Sequence, residues 1–200
     1  MTTVETVRDT CRALWGKPSR SVKFTEGQYA VEVLKWDPKS TPDGLALYLT
    51  VGASAWPLPG GPPDRRIEFF TSMLPARDEI ADPLAALSLY SILQGVTLDH
   101  GNTVPSEAPL WRRSAMSTLL VARPRVGFLP AIESPDGPHV EFLQAIPIFE
   151  SERAYKKEYG VAALLECFAE AHTPFWDPDR SPNSVCLSRS GLGAGTFLGV

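Results

Sequence analysis

The stretch from His139 to His172, HVEFLQAIPIFESERAYKKEYGVAALLECFAEAH, constrains the fold more than any other part of the chain. Val140 to Phe149 is a nearly continuous apolar run. A strand with one wet face alternates; an unbroken run of this kind fits a strand buried on both faces. The turn signal Ser134-Pro135-Asp136-Gly137-Pro138 precedes it. Glu150-Ser151-Glu152 ends it, and acidic residues with a serine suit a helix N-terminus. Val161, Leu164, Leu165 and Phe168 then recur at helical spacing. Gly160 separates a polar helical turn, Ser151 to Tyr159, from an apolar helix, Val161 to His172. A central strand feeding a core helix is thus the expected folding nucleus.

The rest of the chain supplies partners for that strand. Val4, Val7, Cys11, Leu14 and Trp15 form one stripe, so residues 3–15 read as a helix with Thr3 as N-cap and Gly16 as the stop. Tyr29 to Trp36 and Leu45 to Val51 read as a strand pair about the turn Pro42-Asp43-Gly44. Residues 52–64, GASAWPLPGGPPD, carry too much Pro and Gly for regular structure and read as a surface loop. Arg65 to Leu74 is a third strand, with Ile67, Phe69 and Met73 on one face and Glu68, Phe70 and Ser72 on the other. Asp82-Pro83 opens a second helix through Leu84, Leu87, Tyr90 and Leu93, ended by Gly95. The turn Asp99 to Pro105 leads to a weaker strand, and Leu119 to Ala122 is another. Strands that follow one another directly, without strict βαβ alternation, predict an α+β fold: a mixed, largely antiparallel sheet flanked by helices. Residues 1–176 read as a single domain. Residues 177–200 turn to Pro, Ser, Asn and Gly and read as a tail, ordered where it docks on the body.

Bulk properties narrow the function classes. A net charge of −4 argues against a nucleic-acid binder working through bulk charge. The start, MTTVETVRDT, lacks the basic and apolar regions of a signal peptide, and no apolar run approaches membrane-spanning length. A cytoplasmic protein with neither membrane nor nucleic-acid partner is expected. Cys11, Cys167 and Cys186 are odd in number and lack CxxC spacing, against a disulfide scaffold or a structural zinc site. No HExxH or GxSxG motif is present, so no metal and no cofactor is expected. Gly191, Gly193 and Gly195 imitate part of a phosphate loop, but no strand precedes them and no helix follows.

The order of elements resembles the suppressor of fused domain family, in particular its stand-alone bacterial members. The resemblance is carried by Leu45 to Ser54, by Arg66-Ile67-Glu68-Phe69-Phe70, by the leucine-rich helix Leu84 to Leu93, and by His100-Gly101. Most informative is Phe142-Leu143-Gln144-Ala145-Ile146-Pro147-Ile148 with Glu150, Glu152 and Gly160. Together these span roughly residues 25–172. The resemblance implies an α/β sandwich that is a binding module rather than an enzyme. The eukaryotic member restrains a transcription factor by clamping a short peptide. Bacterial members are proposed immunity proteins that neutralise a toxin. These residues read as a single domain with no second peptide-clamping lobe expected, so the transcription-factor role is not expected to carry over.

The reading that follows is a non-catalytic protein-binding domain, an immunity protein that neutralises a cognate toxin sterically. A standard interface would bury about 1,600 Å² in total. Trp56, Glu68, Asp99, His100, Glu150 and Glu152 are the candidate partner-binding residues, with loop 52–64 and the turn at His100 as contact regions. Each has a blander reading. Trp56 is an interface anchor or folds back over the sheet edge. His100 is a partner contact or general base, or its ring caps local backbone. Glu150 and Glu152 are explained by helix-dipole compensation alone. The alternative function is a small hydrolase-like enzyme using His100 with Glu68 or Asp99. It requires those side chains to converge in one pocket.

Overall fold

The computed structural model describes residues 2–124, 129–133 and 137–189. The glycines at 191, 193 and 195, and most of the turn expected at 134–138, lie outside the described residues. Seven strands form one sheet: β1 (Arg20–Glu26), β2 (Tyr29–Trp36), β3 (Ala46–Val51), β4 (Arg65–Met73), β5 (Thr103–Pro105), β6 (Thr118–Ala122) and β7 (His139–Ile148). Their spatial order is β1-β2-β3-β4-β7-β6-β5. The β4–β7 pair is parallel and the other neighbours are antiparallel. The helices are α1 (Thr3–Trp15), α2 (Ala81–Gln94), α3 (Glu150–Glu170) and α4 (Ser184–Arg189).

Alternation along the inner strands sends side chains to two covered faces. One face carries Val33, Tyr48, Ile67, Phe69, Leu119, Val121 and Leu143, packed with Leu84 and Leu87 of α2. The opposite face is divided. Val7 and Cys11 of α1 pack with Leu34, Leu47, Leu49, Phe70 and Phe142. Leu164, Cys167 and Phe168 of α3 pack with Leu120, Ile146 and Ile148. The result is a three-layer sandwich with β7 in its interior, buried through both faces as its unbroken apolar run requires. Cys11, Cys167 and Cys186 are all free thiols in these cores. Burial, then the Glu68 carboxylate, pushes the Cys11 thiol up to about 12, so it behaves as a small hydrophobe.

Local chemistry accounts for most element boundaries. The N-cap of α1 is Thr2, one residue before the expected Thr3. The Thr2 hydroxyl accepts from Glu5 N–H at 3.3 Å, and Thr2 N–H donates to the Glu5 carboxylate at 2.7 Å, closing a capping box. Helix α2 starts at Ala81, because a 3-10 turn over Asp78–Ile80 runs into it, so Asp82-Pro83 occupies its first turn. Gly95 ends α2 in the left-handed conformation. Gly160, at φ 88°, breaks α3 where the sequence divides its polar and apolar halves. Strand β1 has no counterpart in the sequence reading. Its exposed edge position removes the burial pattern by which strands are recognised.

The junction of β7 and α3 explains a proline in a central strand. The β4 ladder reaches only as far as the Phe70–Gln144 pair, so beyond Gln144 β7 is flanked by β6 alone. Pro147 falls in that stretch. Its carbonyl accepts from Arg180 Nη2 at 3.0 Å, on the side where β4 no longer runs. The N and O of one strand residue point the same way, so the missing N–H of Pro147 leaves no ladder bond unmade. Arg180 stands in for the absent strand. Its guanidinium also pairs bidentately with Glu152, at 2.7 and 2.8 Å, and both side chains are buried. Asn183 continues the docking, donating to Cys167 O at 3.2 Å and to Thr173 Oγ1 at 2.7 Å, and Cys186 is buried behind it. Residues 177–189 therefore pack on the body of the domain.

Candidate functional site

Glu68 shows how the sheet shapes the loop that follows β3. Its side chain is 0% exposed. Four donors converge on the carboxylate: Thr50 Oγ1 at 2.7 Å, Gly52 N at 2.8 Å, Ser54 N at 3.0 Å and Ser54 Oγ at 2.6 Å. Burial pushes this carboxyl up and the four hydrogen bonds pull against it, with the balance upward. The bonds fold Gly52 to Ala55 back over the sheet as a tight elbow. Gly52 sits at φ +130°, and a Cβ there would lie 2.6 Å from Ala30 O. Only glycine fits. Residues 52–64 are thus anchored at their start by this elbow and further on by Leu58, which is buried in the α2-side core.

The rim beyond the elbow gathers several loops at one end of the sheet. The β1–β2 hairpin, the end of β3 and the starts of β4 and β7 all meet there. The Thr97 hydroxyl donates to Pro59 O, tying loop 52–64 to the segment that enters the Asp99-His100 turn. Arg65, at the start of β4, is the hub of the charged half. It donates to Glu141 at 2.9 and 3.1 Å and to Asp99 at 2.9 Å. Desolvation pushes Asp99 up, but hydrogen bonds from Arg65 and the His100 N–H, with the charges of Arg65 and Arg123, bring it below the usual carboxylate range. His139 contacts Glu133 at 2.8 Å and Glu141 at 3.4 Å on the same rim.

The Asp99-His100 turn is rigidly held. Gly101 N–H donates to Val121 O at 2.8 Å, and Gly101 lies so close to α3 that a Cβ would meet Val161 Cγ1 at 3.0 Å. The exposed His100 ring accepts from Arg123 N–H through Nδ1 at 3.2 Å, so it caps backbone. Glu68 and His100 have no described partner in common, and among the described residues no hydrogen bond or ion pair joins them.

The six candidate residues separate into three groups. Trp56, Asp99 and His100 share the loop rim; Trp56 is half-buried, its ring edge-on to Tyr29 at 5.0 Å. Glu150 is exposed and paired with Arg153 at 2.7 Å, at the far end of β7. Ten strand residues separate it from the rim by roughly 30 Å. Glu68 and Glu152, expected among the partner contacts, are both enclosed within the domain. Their charges are consumed by backbone, hydroxyl and guanidinium donors inside the domain. Sequence reasoning missed Arg65, Glu141 and Arg180. Arg65 and Glu141 meet only through the parallel β4–β7 register, which no local pattern announces. Among the described residues, no group of His, Cys, Asp and Glu side chains could hold a metal ion. No described helix is long and apolar enough to cross a membrane.

The family model for Suppressor of fused protein (SUFU) matches residues 27–181. The chain belongs to the suppressor of fused family. No curated protein sequence matches it. Among solved structures, a SUFU homologue from Neisseria gonorrhoeae superposes with a TM-score of 0.68 at 21% identity, covering 90% of this chain and 95% of that one. The Sufu–Fu complex crystal structure gives 0.68 at 16% identity, over 96% and 95% of the two chains. Drosophila Suppressor of Fused gives 0.66 at 16% identity, and there 96% of this chain corresponds to 52% of the other. These likenesses show the SUFU fold. The match to residue 181 takes in Arg180, so the buried Glu152–Arg180 pair lies inside the SUFU domain.

Proposed function

We propose that this SUFU domain is a non-catalytic binding protein that acts in the cytoplasm by steric capture of a protein partner, and that the partner is a cognate toxin. The observation that carries the binding reading is the loop rim. The half-buried Trp56, the Pro-rich loop 52–64 and the Asp99-His100 turn meet at one sheet end, the loop held at its start by the buried Glu68 and further on by Thr97, and the turn by the Gly101–Val121 backbone bond. A preformed rim loses little conformational freedom on association. The SUFU-type neighbour solved as the Sufu–Fu complex supports a protein as ligand. The internal saturation of Glu68 and the capping role of His100 support binding over hydrolysis.

The test is a pull-down from the native cell with wild type, Trp56→Ala and His100→Ala. Wild type should capture one abundant partner, a secreted protein with a toxic C-terminal domain, and either substitution should reduce capture. Turnover of an ester or phosphoester by the purified protein, dependent on His100 and without any captured partner, overturns the reading.

A further inference from the structure

A cleft of about 360 Å³ opens on the rim between α1, the β1–β2 hairpin and the elbow after β3. Val4, Ala30, Val31, Val51 and Ala55 supply its apolar lining, and Trp56 lines it as well. Its polar lining is Arg8, Lys23, Gln28 and Glu32. Arg8 and Glu32 are spent on each other, and the Ser21 hydroxyl donates to the same carboxylate. What is left is the Lys23 ammonium, the Gln28 amide and the Trp56 indole N–H. None of the three side chains makes a hydrogen bond or ion pair among the described residues. The back of the cleft is fixed, because the Gly52 N–H is already held by Glu68.

The balance of that lining selects a ligand chemistry. Lys23 and the indole can only donate, the amide can donate or accept, and the lining carries a net single positive charge. Lys23 lies across the strand ladder from Glu32, whose carboxyl burial raises and Arg8 and Lys23 together help to lower. Behind them lies a wall of small and branched apolar side chains. The volume is at the small end of ligand sites, which begin at about 300 Å³. We infer that this cleft receives an apolar side chain flanked by a carboxylate, as presented by an acidic, leucine-type segment of a protein partner. The inference rests on the binding reading above and names the chemistry of one of its contacts. One carboxylate matches the net single positive charge of the lining, and an aliphatic side chain matches the wall.

The probe is N-acetyl-leucine, set against N-acetyl-leucinamide and acetate. The readout is the Trp56 indole N–H resonance of the full chain, identified by its loss in Trp56→Phe. N-acetyl-leucine should shift it saturably. The amide should bind about tenfold more weakly, as expected for loss of a charge-assisted contact. Lys23→Met, a change at an exposed position, should bring the acid down to the level of the amide and leave the amide unchanged. Equal binding of acid and amide overturns the inference, as does an equal response to acetate or no saturable shift at all. A negative result here overturns the cleft assignment even where Trp56→Ala abolishes partner capture, so the two readings fail separately.

Discussion

Replacing Arg180 by methionine should cost more stability than any surface substitution on this domain. Arg180 donates to both Glu152 oxygens at 2.7 and 2.8 Å, to Pro147 O at 3.0 Å and to Ser181 O at 3.3 Å. Its guanidinium lies 4.9 Å from the Phe149 ring centroid and 5.6 Å from that of Phe168. Methionine keeps the stem and part of the contact with the rings but leaves the Glu152 carboxylate buried without its cation. Breaking a buried pair from one side costs about 3–5 kcal/mol. In a domain of this size that is a fall in melting temperature of roughly 6–20 °C. Urea unfolding followed by circular dichroism measures it. The double variant Glu152→Gln/Arg180→Met should lose less than the sum of the single changes, because the uncompensated charge is gone. Phe149 N–H and Asn183 N–H also use Glu152 as acceptor, at 3.0 Å each, and a glutamine oxygen can serve one of them. A loss under about 1 kcal/mol for Arg180→Met, or strict additivity in the double variant, would refute the idea that this pair fastens residues 177–189 to the fold.

Two further outcomes follow from the same packing. Gly52→Ala should destabilise by about 2–3 kcal/mol, from strain at φ +130° and collision with Ala30 O, and should broaden the Trp56 indole resonance; an unchanged urea midpoint would show the elbow to be pliable. Asp78 receives Arg20, Lys35 and the Tyr48 hydroxyl, and although burial pushes it up, these partners bring it down to about 2 from 3.8. A depressed carboxyl stabilises fully above its unfolded value and loses that contribution as pH falls from about 4 toward 2. The unscreened figure of about 2.4 kcal/mol shrinks to about 1 kcal/mol, because the side chain is 37% exposed. Asp78→Asn should flatten that part of the stability–pH curve, and an identical curve in the variant would remove Asp78 as its source.

The chain determined its elements wherever one residue's neighbours along the sequence set its environment. The apolar run of β7 specified a strand covered on both faces, because any other placement would expose it. Gly16 and Gly95 ended helices and Gly160 divided one, since each sits at positive φ. The family followed from the order of such pieces along roughly residues 25–172, and the family model matches residues 27–181. Exposure of charged side chains was not legible in the same way. Glu68 and Glu152 look like ordinary surface acids in sequence, and nothing local distinguishes them from Glu150. Their burial depends on donors 14 to 31 residues away: Ser54 and Thr50 for one, Arg180 and Asn183 for the other. The meeting of loop 52–64 with the His100 turn, and of Arg65 with Glu141, likewise exists only once β4 and β7 lie parallel. Patterns of period two and 3.6 report which face is apolar. Only the assembled sheet sets which charges are brought together and which are enclosed, because a buried charge persists only where distant partners compensate it.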